Sequence, residues 1–182
     1  LSGTGADNTR IQAGADPASA IDRVFHVMPT AAVTIANVTI ENGETEPDGN
    51  GGGILNMGAV TIDESSLTNN RALGDEPGQG GGALYNGPNS VATLNNTRIT
   101  MNQAITGLGN GGGILNSRNA ILVINGGAIS DNAAARAGGG VENDAGIATF
   151  NNLSLNNNTA GINGGGLHTS GSGSVDMIGG EA

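Results

Sequence analysis

The chain of 182 residues carries 34 Gly, only 2% aromatic residues, no Trp and no Cys. Large side chains supply much of the area buried between packed layers, so this composition excludes a thick two-layer core, and the missing thiols exclude disulfides and thiolate metal sites. Sixteen acids stand against six basic residues, all of them Arg, and the net charge of -10 argues against nucleic acid or an anionic membrane surface as partner.

In chain order, residues 1–21 show no regular period and read as an irregular N-terminal coil. The stretch Asp22-Arg23-Val24-Phe25-His26-Val27 precedes Val33-Thr34-Ile35, the first of five triplets that alternate inward and outward positions as a half-buried strand does. The others are Val60-Thr61-Ile62, Ala92-Thr93-Leu94, Leu122-Val123-Ile124 and Ala148-Thr149-Phe150. Five residues beyond each triplet comes one further apolar residue, in turn Ile40, Leu67, Ile99, Ile129 and Leu155. Three residues later stands Asn70, Asn102, Asn132 or Asn158, whereas the first copy has Gly43 there and Asn42 one place early.

A glycine run opens the next strand each time: Gly51-Gly52-Gly53-Ile54-Leu55-Asn56, Gly81-Gly82-Ala83-Leu84-Tyr85-Asn86, Gly111-Gly112-Gly113-Ile114-Leu115-Asn116, Gly138-Gly139-Gly140-Val141-Glu142-Asn143 and Gly164-Gly165-Gly166-Leu167-His168-Thr169. The closing residues are 30, 30, 27 and 26 positions apart, a period that belongs to solenoids and arrays. Val175–Ile178 starts another triplet strand, and 179–182 form a tail. No segment has the 3.6-residue period of an amphipathic helix, so almost no helix is expected.

Three short strands per repeat, stacked so that like positions lie above one another, predict an all-β fold: a right-handed parallel β-helix of about six coils in one domain over 1–182, with repeats over 22–178. Three inward ladders follow: Ile54, Leu84, Ile114, Val141, Leu167; Ile35, Ile62, Leu94, Ile124, Phe150; and Ile40, Leu67, Ile99, Ile129, Leu155. Asn tolerates left-handed corners and its amide donates to the same residue one coil away, so Asn56, Asn86, Asn116, Asn143 and Asn70, Asn102, Asn132, Asn158 are read as two structural ladders.

The succession Gly-Gly-Gly-Ile-x-Asn, Val-Thr-Ile and Leu/Ile-x-x-Asn resembles the β-helix repeats of bacterial surface and secreted proteins and is similar to the repeats of polymorphic outer-membrane proteins, over residues 22–178. Leu67, Ile99, Ile129 and Leu155 stand where that family carries Phe. The same resemblance reads Asp22 to Val27 as the opening coil, with Phe25 and Val27 in the columns of Ile54 and Asn56. It implies an extracellular or bacterial cell-surface location and an adhesive or scaffold role.

Many parallel β-helices cleave acidic polysaccharides, and they need paired carboxylates or a cation with a nearby base. The outward position of the glycine strands reads Leu55, Tyr85, Leu115, Glu142 and His168, so Glu142 and His168, with Asp144, are the catalytic candidates on an otherwise solvated face. Carboxylates also gather in the loops before successive glycine runs, at Glu44, Glu46 and Asp48 and at Asp75 and Glu76, and Ca²⁺ is the cofactor that such oxygens could hold. Solvated acidic loops are the favoured reading, because the Gly-Gly-x-Gly-x-Asp repeat of calcium-loaded β-rolls is missing.

The expectation is therefore a noncatalytic structural or adhesive module, with a polysaccharide-active enzyme as the alternative. Its partners are expected to be itself, through coil-end stacking into filaments, or a host or glycan surface. No insertion into a membrane by this segment is expected, since no apolar run of about 18 residues occurs.

Overall fold

The computed structural model describes residues 1–45 and 49–180 and is a parallel β-solenoid of about six turns with three strands per coil. Among the described residues the only helical element is the 3-10 turn Pro17–Ser19, and no helix is long and apolar enough to cross a membrane. Three six-stranded parallel sheets run the length of the shaft.

The glycine-flanked sheet stacks Phe25–Val27, Ile54–Asn56, Leu84–Asn86, Ile114–Asn116, Val141–Asp144 and Leu167–Ser170. The longest strands, Ala32–Ala36, Ala59–Asp63, Val91–Asn95, Ile121–Asn125, Ile147–Asn151 and Ser174–Ile178, contain the alternating triplets, whose β-branched residues suit a half-buried pleated surface. The third sheet stacks Arg10–Gln12, Thr39–Glu41, Ser66–Thr68, Arg98–Thr100, Ala128–Ser130 and Ser154–Asn156. All three inward columns form in the expected register, and Phe25 and Val27 stand beside Ile54 and Asn56. Ile35, Ile40, Ile54, Ile62, Leu67, Leu84, Leu94, Ile99, Ile114 and Phe150 are wholly buried.

Two additions escape the repeat pattern. Arg10–Gln12, within the stretch read as irregular, is a strand paired with Thr39–Glu41: Ile11 extends the column of Ile40, and Arg10 clasps both oxygens of Glu41 at 3.0 Å. A short fourth sheet of Gln103–Ala104, Ala133–Ala134 and Thr159–Ala160 follows the second Asn corner and is prolonged by bridges to Arg71 and Glu44.

Both Asn ladders form, and both are interior. Asn56 donates to Asn86, Asn86 to Asn116 and Asn116 to Asn143, each at 2.8 Å. In the second ladder Asn70, Asn102, Asn132 and Asn158 are joined by amide bonds of 2.9 to 3.0 Å, and the same amide nitrogens reach back to Ile40, Leu67, Ile99 and Ile129 carbonyls. One such side chain therefore ties three coils together.

The ladder asparagines are not themselves left-handed. In the second ladder the positive φ falls one residue earlier, on Asn69, Met101, Asp131 and Asn157, and Asn42 belongs to that column. This explains the departure of the first copy: Asn42 accepts from the Asn69 side chain, and the Gly43 N–H donates to the side-chain Oδ1 of Asn70. The glycine run completes the corner. Gly111 holds φ +61, and a Cβ there would lie 2.2 Å from the Ile114 carbonyl. A Cβ on Gly53 would lie 2.6 Å from the Ala83 carbonyl of the next coil and 3.1 Å from the Asn70 side chain, so glycine there lets the coils approach closely, although the second copy holds Ala83 at this position.

Candidate functional site

The site grows out of the outward column of the glycine-flanked sheet, where His26, Leu55, Tyr85, Leu115, Glu142 and His168 stand one above another. This face was expected to be solvated, and the fold corrects that: Leu115 is wholly buried, Glu142 is 1% exposed and Tyr85 8%. The incoming loop is long at the Tyr85 and Leu115 coils, ten residues between Asn70 and Gly81 and eight between Asn102 and Gly111. It has only five between Asn132 and Gly138 at the Glu142 coil, where Pro77 and Gly78 of the long loop line the same cavity as Glu142. The two long loops are bonded to each other, Leu108 N–H donating to the Asp75 carbonyl at 3.1 Å and Asn110 N–H to that of Gln79 at 2.9 Å. Where the loops shorten, a step is left in the wall of the shaft.

Glu142, Asp144 and His168 meet at that step, joined by two residues that the repeat reading passed over, Ser170 and Arg136. Alternation puts Glu142 and Asp144 on one face of their strand and His168 and Ser170 on the same face of the next, with Glu142 opposite His168 and Asp144 opposite Ser170. The His168 Nδ1 lies 2.8 Å from Glu142 Oε2, and the Ser170 hydroxyl donates to Glu142 Oε1 at 2.8 Å. Ser170 Oγ also stands 3.2 Å from Asp144 Oδ1. One hydroxyl carries one proton, so Ser170 serves a single carboxylate at a time. Its column partner Asp144 was the available sequence signal; Arg136, coming from a loop, had none. Arg136 donates to the Asn110 side chain at 3.2 Å.

Glu142, Asp144, Ser170, Arg136 and Asn110, with the Pro77–Gly78 turn of the long loop, line an open cavity of about 270 Å³; His168 stands outside it, bonded to Oε2 of Glu142. Both oxygens of the buried carboxylate are occupied within the cluster. The serine hydroxyl faces carboxylates rather than the imidazole, so the order in which a base activates a serine nucleophile is not assembled. Chemically, the step offers one fixed hydroxyl, one half-buried carboxylate and one guanidinium around a volume open to solvent.

The loop carboxylates are dispersed. Glu44 is engaged by the guanidinium of Arg71 on the next coil. Asp75 and Glu76 are exposed on the following loop, and Glu46 and Asp48 lie outside the described residues. Among the described residues no group of three or more His, Asp or Glu side chains converges as a metal site. No family model, curated protein or solved structure matches the chain, so its likeness to polymorphic outer-membrane repeats rests on the repeat residues alone.

Proposed function

We propose that the protein is a noncatalytic β-solenoid of the cell exterior, an adhesive or structural shaft that displays loops of varied length along one edge. The observation that carries this reading is the contrast between shaft and edge. Three apolar columns and two Asn ladders keep one register from coil to coil, while the loops entering the glycine strands change length at nearly every turn. A solenoid places its binding specificity in such insertions.

The test is a loop exchange. Replacing 73–79 by the short connection found at Ala135–Arg136 should leave circular dichroism close to wild type, because the inward columns are untouched, and should lower melting only by the loop's own bonds to Leu108 and Asn110, while capture of the labelled protein by glycan-coated or cell surfaces falls. Undiminished capture would overturn the adhesive role of this edge. Sedimentation at several protein concentrations, with and without Ca²⁺, tests self-association: rods that lengthen with concentration would make coil stacking the function.

The cavity at Glu142 and Asp144 favours one alternative, a polysaccharide-cleaving enzyme. Reducing-end assays on neutral and acidic polysaccharides decide it. Turnover lost in Glu142→Gln would establish the enzyme and displace the scaffold. Absence of turnover is the result expected, since a carboxylate with both oxygens bonded to neighbours is badly placed to take or give a proton to substrate.

A further inference from the structure

The step where the long loops end has a geometry that selects a ligand. Asp144 is half-buried, Ser170 is fixed by Glu142, and Arg136 lines the same cavity while donating to the Asn110 side chain. An acceptor carboxylate, a donor guanidinium and a hydroxyl whose proton is held by a carboxylate and whose lone pair is left to accept thus surround one small volume. A sugar ring presents adjacent hydroxyls that each donate and accept, and it needs this mixture within the width of one ring.

We infer that the step binds a single uncharged sugar ring of a surface polysaccharide; the inference rests on the adhesive reading and names its ligand. At about 270 Å³ the cavity falls below the range of pockets for drug-sized molecules, about 300 to 1,000 Å³, so it holds one ring and leaves the chain to continue through the open side. Charge selects against acidic sugars. Two carboxylates and one guanidinium line the step, Asp75 and Glu76 stand on the loop that forms its wall, and the whole chain carries -10. The Pro77 ring gives that wall an apolar surface for the C–H face of a sugar. Preorganisation comes from Glu142, which is buried in the outward column and holds Ser170 and His168 by 2.8 Å bonds before any ligand arrives.

Saturation-transfer NMR on the whole chain tests this, with the methyl glycosides of glucose, galactose, mannose and N-acetylglucosamine as probes and methyl glucuronoside as the charged control. Wild type should receive transfer from at least one neutral glycoside and none from the glucuronoside. Asp144→Ala and Arg136→Ala, each removing a charged hydrogen-bond partner, should weaken that binding about tenfold or more, with melting unchanged. Asp176→Ala, on a different sheet, should bind as wild type does. No transfer from any neutral glycoside, binding indifferent to both substitutions, or preference for the glucuronoside would each overturn the assignment. The two readings fail separately: surface capture without glycoside binding at the step refutes the sugar step and leaves adhesion, whereas glycoside binding at the step without surface capture refutes adhesion and leaves the step.

Discussion

At the scale of single residues, the interior asparagines hold neighbouring coils in register. Asn86 accepts from Asn56 at 2.8 Å, donates to Asn116 at 2.8 Å and to the Ile121 carbonyl at 3.0 Å, and is wholly buried. Truncation to Ala removes these bonds and leaves one of the two Asn56 amide protons unpaired in the core, the other still donating to the Val91 carbonyl, so Asn86→Ala should lower unfolding free energy by about 2 to 3 kcal/mol in urea titration. Asn156→Ala, at an exposed position, should stay within about 0.5 kcal/mol of wild type. Met101 offers the opposite sign. It sits at φ +57 with 56% of its surface exposed, in a corner column that Asn69 and Asn157 fill elsewhere. A left-handed angle disfavours a long side chain and suits Asn, so Met101→Asn should raise stability by about 0.5 to 1 kcal/mol by the same titration.

At the scale of strands and sheets, the buried Glu142 interrupts an outward column whose preceding members are Leu55, Tyr85 and Leu115. A leucine there would continue that column, and its would-be partners His168 and Ser170 are partly open to solvent, where water replaces the lost bonds. Removing one partner of a buried pair destabilises when the other is left dry, but His168 and Ser170 reach water, so Glu142→Leu should melt close to the wild-type temperature while glycoside binding is lost. A large drop in melting temperature would instead make the cluster a structural clasp. The inward columns were legible in the sequence because strand alternation and the 26- to 30-residue step between closing residues act on every coil. The site was half legible. Register logic brought Glu142 and His168 together, but shelter by the loop around Pro77 depends on how a connection folds back, which no period encodes. A third ladder, Asp63, Asn95, Asn125 and Asn151 with bonds of 2.6 to 2.8 Å, also went unread, because polar residues at the outward end of a strand look like ordinary surface.

At the scale of the whole molecule, stacking like positions also stacks like charges. Sixteen acids and six arginines ride on one shaft, and of the loop carboxylates Glu44 is neutralised by Arg71 while Asp75 and Glu76 face solvent. Self-repulsion of this kind opposes the compact state and is screened within about 10 Å at 0.1 M salt. Raising NaCl from low to moderate concentration should therefore raise the melting temperature, by an amount that levels off once the screening length falls below the spacing of the loops. Ca²⁺ and Mg²⁺ at matched ionic strength separate screening from coordination. Ca²⁺ wants six to eight oxygens at short range, and the described carboxylates do not converge in that way, so the two ions should act alike in differential scanning calorimetry. A shift specific to Ca²⁺ and saturating with its concentration would place a bound ion on the acidic edge, with Glu46 and Asp48 as the first residues to substitute, and would turn those loops from solvated connections into ligands.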